Sequence, residues 1–399
     1  MTRQDVDVLV SGGGVAGLAA AAGFGAAGYS VVCVDPAAPV TQRDDEGADL
    51  RTTAFLQPSI RILEAAGLWD RLAPHAMPLE VMRIVDAGGA ESKPRISHDF
   101  RAADVSDQPF GWNLPNWLLR REMAARIGDM PGVDFRPGIA TRGVMTREDA
   151  AFVTLSDGAR LRVRLVVAAD GRNSPVRRAL GIGARTTRYG QKALAFAVTH
   201  EVPHGNVSTE VHRSGGPFTL VPLPDHEAQP CSAVVWMETG PEIARLRALP
   251  VPEFEAEMTE RSAGLFGPLR LASALTVWPI VSQIADAFAG QRVALIAEAA
   301  HVVPPIGAQG LNMSLADLGV LLDLAAASPD RLGDAAMLAA YERKRRAEVA
   351  VRVGGVDLLN RASMVGPRPL RDARAAALNA LYSLRPARQG LMRLGIGMR

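Results

Sequence analysis

The chain has 399 residues, 48 % of them hydrophobic, and a net charge of +2. That is enough apolar material for two or three domains, and too little charge to suggest a nucleic-acid partner. Cys33 and Cys231 sit in apolar, strand-like runs and imply neither a disulfide framework nor a metal site, so a reducing cytoplasm is the expected compartment. No signal peptide is expected, no apolar run reads as long and glycine-free enough to span a bilayer, and no internal repeat is visible.

Residues 6–10 are short, apolar and β-branched, which predicts a buried strand. Gly12, Gly14 and Gly17 follow at G-x-G-x-x-G spacing, with Val15 and Ala16 between the last two. An Ala-rich helix is predicted over 18–27, stopped by Gly28, and a second buried strand over 29–34, closed by Asp35. Each residue type has a physical use. Gly12 permits the tight turn, Gly14 lets the backbone approach a pyrophosphate, and Gly17 lets helix and strand pack closely. The helix N-terminus offers N–H donors to phosphates, and Asp35 can accept hydrogen bonds from a ribose. The whole is a dinucleotide-binding βαβ unit, and it does not name the dinucleotide.

Residues 42–51 are polar and predict a loop, and 59–72 an amphipathic helix pair around Gly67. A strand is predicted over 79–86, irregular chain over 91–110, and a helix over 115–128. Several short strands follow to 169, with a hairpin turn at 156–158. Residues 165–169 form a buried strand, Asp170-Gly171 a turn, and 174–180 a helix. Between 194 and 239 the pattern becomes alternating strands without βα alternation. A helix at 251–262, a strand at 274–282 and a returning buried strand at 293–297 complete the insertion. Pro304 and Pro305 forbid helix locally, and an apolar helix starts near Leu311. A further helix covers 336–360. The tail, 361–399, holds eight arginines against one acid, Asp372, and Pro386 divides it into two amphipathic helices.

The fingerprint, the ADG turn at 169–171 and the segment AEAAH…PPIGAQGLN resemble the FAD-dependent aromatic hydroxylases along nearly the whole chain. DLRTTAF at 49–55, GWNLPNWLLRREM at 111–123 and the basic tail look most like the ubiquinone-biosynthesis hydroxylases. The resemblance implies FAD, and with the complete fingerprint and no recognisable flavin-attaching Cys or His motif it is expected to be held non-covalently. Gly12, Gly14, Val15, Ala16 and Gly17 would hold its pyrophosphate, and Asp35 its adenosine ribose. Arg51, Asn116 and Asp170 would lie at the flavin. Glu298 would meet the ribityl chain where the family has Asp in a Gly-Asp pair; here the pair is Ala297-Glu298. The helix start at Gly310, Leu311 and Asn312 would face the flavin edge that gains negative charge on reduction. His301 is expected to pack behind the proline loop and bind backbone, with a general-base role as the alternative. Trp112, Trp236 and Trp278 are candidates to line a substrate pocket. Asp317 is expected to serve helix packing. His200, His204 and His212 do not show metal-ligand spacing.

The implied architecture is α/β: a discontinuous Rossmann-like FAD domain (1–75, 99–180 and 285–360), an inserted antiparallel substrate-binding sheet domain (76–98 and 181–284), and a helical tail. The implied reaction is hydroxylation of a polyprenylated phenol or quinol ring by O2 through a flavin C4a-hydroperoxide. NAD(P)H or a protein donor would supply the electrons. No acid or base emerges from the sequence. The alternatives are a hydroxylase of soluble aromatics, a flavin reductase of isoprenoid double bonds, and a flavin-poor scaffold of a biosynthetic complex. The tail could bind the inner membrane face, a pathway enzyme, or the FAD domain itself.

Overall fold

The computed structural model describes residues 4–43, 45–89 and 91–397. Asp44 of the charged loop and Arg399 of the tail lie outside them. Five strands run parallel in the spatial order Val293–Leu295, Arg160–Ala168, Gln4–Ser11, Val31–Asp35 and Val133–Pro137. Their central residues, such as Val8, Leu9, Val10, Val166 and Val167, are fully buried. Continuous apolar runs are what a parallel sheet covered on both faces requires. Thr141–Thr146 and Ala151–Leu155 form a hairpin that joins Arg160–Ala168 antiparallel. The helix Val15–Ala26 packs against Asn116–Gly128 and Gln309–Ala327. Its alanines and Gly23 bring these helices close, with Leu318 and Leu322 filling the space beside Gly23.

The second layer is a larger sheet in the order His301–Val302, Thr276–Ala285, Ala184–Thr199, Gln229–Thr239, Pro217–His226, Val207–His212, Val81–Asp86 and Ile96–Arg101. All of these neighbours are antiparallel except Val207–His212 and Val81–Asp86. That parallel pair is where chain from the first domain crosses over. Strand Ile96–Arg101 corrects the expectation of irregular chain over 91–110. It is an edge strand, polar because only one side is paired, and it runs past residue 98 into the stretch assigned to the first domain. Helix Gly240–Arg247 was also not anticipated. It packs with Val251–Arg261 over one face of the sheet, burying Phe196, Trp236, Phe254 and Leu246. A small sheet of Thr52–Leu56, Gly111–Pro115 and Met77–Leu79 bridges the two layers, and Asn113 donates to the Pro222 carbonyl at 3.0 Å.

One described helix, Gln309–Ala327, is long and apolar enough to cross a membrane by length and composition, but it holds Gly310, Gly319, Asp317 and Asp323, so it is not the long glycine-free span that the sequence was expected to lack. It carries the fully buried Asp317 and packs on the helices Val15–Ala26, Gln57–Ala65 and Ala335–Ser363, as a core helix does. The tail forms helices Arg368–Ser383 and Arg385–Ile396. The first docks on the edge strand of the large sheet, and the second reaches the first domain as the docked alternative supposed, with Gln309 donating to the Gly395 carbonyl and Gln389 to the Asp104 carbonyl. Tyr382 stacks on His98 at 3.9 Å and meets Phe100 edge-on. Arg374 donates to the buried Asp86 carboxylate at 2.9 Å.

Candidate functional site

The Gly-rich turn leaves strand Gln4–Ser11 beside the turn that leaves Arg160–Ala168, at the carboxyl ends of both strands. A crevice there is where open α/β sheets bind ligands. Gly12 has φ +110, and a Cβ on it would sit 2.4 Å from the Ala169 carbonyl oxygen. A Cβ on Gly17 would sit 1.8 Å from the Gly12 oxygen. These two glycines are required by the protein's own packing. Gly14 differs: a Cβ there would meet nothing within 4 Å. Its open side is a cradle that a side chain would fill, and it caps a helix with no side-chain cap and no acid in its first turn. Val15 and Ala16 supply first-turn N–H groups to the same opening. An uncapped, acid-free N-terminus suits a phosphate.

Asp35 is half-buried, and its Oδ2 accepts from Gly13 N–H at 2.6 Å while Oδ1 accepts from Ala37 N–H at 2.8 Å. The acid therefore shapes the Gly-rich turn as well as standing at the strand end where a ribose would lie.

Across the crevice, Arg51 and Asn116 converge on one carboxylate that the sequence motif did not single out. Arg51 Nε and Nη2 donate to Asp49 at 2.7 and 2.6 Å, and Asn116 Nδ2 donates to it at 3.1 Å. The main-chain carbonyls of Arg51 and Asp49 also accept from Asn116 and Trp117 N–H, which caps helix Asn116–Gly128. Burial pushes the Asp49 carboxyl up, but the Arg51 hydrogen bonds and charge, together with the Asn116 bond, outweigh it and hold it below the usual range. Arg51 is held above its usual range, first by the Asp49 bonds and more weakly by the charge of Glu298. Its guanidinium lies 5.3 Å from the Trp278 ring centroid.

Asp170 is mostly buried. Oδ2 accepts from Val176 N–H at 3.1 Å, while Oδ1 has no partner among the described residues. Burial pushes its carboxyl above the usual range, against its bonds to Ser174 and Val176. A buried acceptor without a donor is costly unless a ligand supplies one. Glu298 is exposed on the turn Ala297–Ala299. Ala297 adopts φ +55 there, the left-handed region that favours glycine. Arg177, not singled out from sequence, ties this turn to the ADG turn by donating to the Ala299 and Arg172 carbonyls at 2.7 and 2.8 Å.

Helix Gln309–Ala327 starts two residues before Leu311, on Ala308 at φ +55. Gly310 is exposed and Leu311 half-buried. The Asn312 side chain is committed to the protein: Oδ1 accepts from Leu56 N–H and Ser59 hydroxyl, and Nδ2 donates to the Ala54 and Ala308 carbonyls. Only its main chain is left to face a ligand. His301 is buried, and its Nε2 meets Asp317 at 2.7 Å. This corrects the expected backbone partner. Asp317 also accepts from Ala297 N–H and from Arg345 Nε at 3.1 and 2.7 Å. The pair holds the loop and has no opening to a substrate.

Facing this crevice is the other side of the large sheet. Ala195, Val235, Thr219, Glu210 and Ile84 form one cross-strand row, and paired residues point to the same face. Val303 and Ile306 of the proline loop pack on this face with Ala193, Met237, Ile280, Val235 and Trp278. Thr219, Val221, Val235 and Trp278 stay half-buried although they face into the molecule. They leave a partly uncovered, largely apolar strip of this face, the candidate floor of a substrate cleft. Of the three tryptophans, only Trp278 stands on it. Trp236 lies on the opposite face, packed against Phe218 at 5.3 Å, and Trp112 packs against Trp69 at 5.6 Å. A separate cavity of about 450 Å³, lined by Arg213, Trp236, Glu238 and Arg261, lies on that opposite face. Glu210 and His212 form a polar pair 2.6 Å apart on the cleft side.

The residues fit FAD: an open Gly14 cradle, an uncapped helix start, an unpaired Asp170 oxygen, and a polar rim at Asp49, Arg51 and Asn116. Residues 5–353 match the family model described as FAD binding domain. The chain is 33 % identical to ubiquinone hydroxylase UbiL of Rhodospirillum rubrum, over 98 % of this chain and 89 % of that protein. It is 25 % identical to 3-demethoxyubiquinol 3-hydroxylase of Escherichia coli, over the full length of both. The fold matches the crystal structure of pqsL, a probable FAD-dependent monooxygenase from Pseudomonas aeruginosa, with TM-score 0.77 and 24 % identity over 94 % of this chain and 100 % of that one.

Proposed function

This chain belongs to the FAD binding domain family, and from that premise we propose that it is an FAD-dependent monooxygenase hydroxylating the aromatic ring of a polyprenylated ubiquinone precursor. The end-to-end likeness to UbiL carries the substrate reading. The cleft agrees with it, since its floor is built mainly from the apolar Val221, Val235 and Trp278, with Thr219 beside them.

FAD, once reduced, supplies the chemistry that activates O2 for transfer to the ring. The chain's own residues bind, orient and exclude water. Gly14 and the first turn after it would hold the pyrophosphate, and Asp35 the adenosine ribose. Asp49, Arg51, Asn116, Asp170 and Glu298 would line the ribityl and flavin side. The N–H groups from Gly310 to Asn312 would face negative charge on the ring system. Val303, Ile306 and the sheet would close the reacting centre from water, which protects oxygen transfer from wasteful side reactions. One dinucleotide fingerprint leaves no second nucleotide fold for the reductant, so NAD(P)H or a protein donor would approach the flavin itself. The substrate is lipid-soluble, so the enzyme would meet it at the inner membrane face or through a pathway enzyme.

A second reading, hydroxylation of a soluble aromatic, draws on Glu210 and His212 as a polar anchor in the cleft. The test is turnover with reductant and 18O2, offering a polyprenylated phenol and a water-soluble phenol. Labelled oxygen in the polyprenylated product supports the first reading. Label only in the soluble one selects the second. Product formed without O2 sinks both.

A further inference from the structure

Helix Ala335–Ser363 has two unlike faces. Val349, Val356 and Asn360 point inward. Val356 packs with Met237, Ala193, Ile280 and Ile306, the group at the wall of the cleft. Tyr189 beside them donates to Asp357 at 2.5 Å. The other face holds Ala347, Val351, Gly354, Leu358 and Ala362, at spacings of three and four, flanked by Ala350, Gly355 and Leu359. All eight are exposed. From 343 to 362 every other exposed residue is a base: Arg343, Lys344, Arg346 and Arg361. The acids of this stretch, Glu348 and Asp357, are turned partly inward into ion pairs.

The tail continues this surface. Gln309 receives a hydrogen bond from Arg352 at 2.8 Å and donates to the Gly395 carbonyl at 3.2 Å, which sets the end of the last helix beside the long one. The inward residues Ala375, Met392 and Ile396 are buried, while Leu370, Leu384, Leu391 and Leu394 are exposed. Of the ten most exposed large apolar side chains among the described residues, seven lie between Val351 and Leu394. Exposed apolar side chains gathered on three successive helices mark a contact surface. Arg374 and Arg388 are occupied by Asp86 and Asp104. Arg368, Arg385 and Arg393 are exposed and carry no ion pair among the described residues.

We propose that this layer, the outer face of residues 347–362 together with Leu370, Leu384, Leu391 and Leu394, lies on an anionic lipid surface. The proposal rests on the substrate reading above and adds the surface. Charge complementarity selects lipid: the face is apolar and free of exposed acids over 343–362. Although Arg346 and Arg361 pair with Glu342 and Asp357, Arg343, Lys344, Arg368, Arg385 and Arg393 carry no ion pair among the described residues, as the basic rim of an interfacial helix requires. Its position gives the contact a use. The helix that would touch lipid on one face walls the cleft with the other, so a ring carried on an isoprenoid chain crosses only the width of this helix to reach the cleft. The lipid-binding element is therefore the long helix plus the outer leucines, and the tail arginines serve partly as internal struts.

The test uses the full-length flavoprotein, sedimented with phosphatidylglycerol–phosphatidylcholine vesicles and with phosphatidylcholine alone, at low and high salt. The variant Val351→Glu/Leu358→Glu/Leu359→Glu is compared with native protein, with flavin content and oligomeric state measured on both. Native protein is expected to bind the anionic vesicles, more weakly at high salt. The variant should bind about tenfold less with unchanged flavin content. Equal binding by variant and native protein, or no native binding to anionic vesicles, overturns the proposal. A native oligomer that the variant dissociates overturns it too, because the face is then a protein interface. Turnover of a short-chain phenol in detergent is read separately. If that fails while vesicle binding stands, the substrate reading falls and the lipid surface remains.

Discussion

Arg51 and Asn116, 65 positions apart in the chain, are joined through a single carboxylate: Asp49 accepts from Arg51 at 2.6 Å and from Asn116 at 3.1 Å. The acid turns a mobile arginine into a fixed donor and anchors a helix start. Asp49→Asn keeps the size and removes the charge that aligns the guanidinium. It is expected to weaken FAD binding by about 1–2 kcal/mol, the scale of one charge-assisted hydrogen bond discounted for the half-exposed Arg51. Flavin titration of the apoprotein checks this, and an unchanged affinity would remove Asp49 from the site.

Gly12 and Gly14 should fail in different ways when replaced by alanine. Gly12→Ala places a Cβ 2.4 Å from the Ala169 oxygen at a positive φ, so folding itself should suffer. Gly14→Ala meets only open space, so the apoprotein should melt as the native one does and lose at least about tenfold in FAD affinity, since the Cβ enters the phosphate approach. Equal flavin affinity in Gly14→Ala would mean that the open side is not the phosphate cradle.

Ala297 and Glu298 separate strain from ligation. Ala297→Gly relieves a left-handed residue and should stabilise the apoprotein by about 1 kcal/mol, visible in its melting temperature. Glu298→Ala should leave the apoprotein's stability alone and cost about 1–3 kcal/mol in FAD binding, whereas Glu298→Asp should retain binding. A Glu298→Ala protein that binds FAD normally would show the exposed carboxylate to be idle.

Asp317 sits between His301 and Arg345 with no exposure. Burial alone would raise its carboxyl, but the two bases outweigh it and hold it below the usual range. A carboxyl whose folded pKa is depressed adds stability above its unfolded value of about 3.9, and that stability is lost as pH falls through the folded value. Denaturant unfolding should therefore show stability falling below about pH 4. Asp317→Ala strands the buried Arg345 and should cost about 3–5 kcal/mol at neutral pH, with a flatter acid limb. An unchanged acid limb would place the pH sensitivity elsewhere.

Val235 stands half-buried on the cleft floor, opposite Ala195. Val235→Phe should narrow the cleft and lower ring hydroxylation about tenfold or more, while flavin content stays native. Unaltered turnover would move the substrate away from this face.

The sequence by itself determined the βαβ unit, because its signals are local: a β-branched run, three glycines at fixed spacing, an Ala-rich helix and an acid at the next strand end. The proline break and helix after residue 305 were legible for the same reason. Strand Ile96–Arg101 was not, because a polar edge strand lacks an apolar alternation and exists through its pairing with Val81–Asp86. Tertiary structure also decided which candidates share a site. Asp49 came in because a carboxylate's role depends on the two donors that reach it from distant segments. His301 was turned inward to Asp317, and Trp236 was assigned to the far face by strand register, since a side chain's face depends on which partner lies opposite. The tail's basic and amphipathic character was plain in the sequence. Which arginines are spent on Asp86 and Asp104, and which leucines remain outside, depends on packing between surfaces that no local pattern encodes.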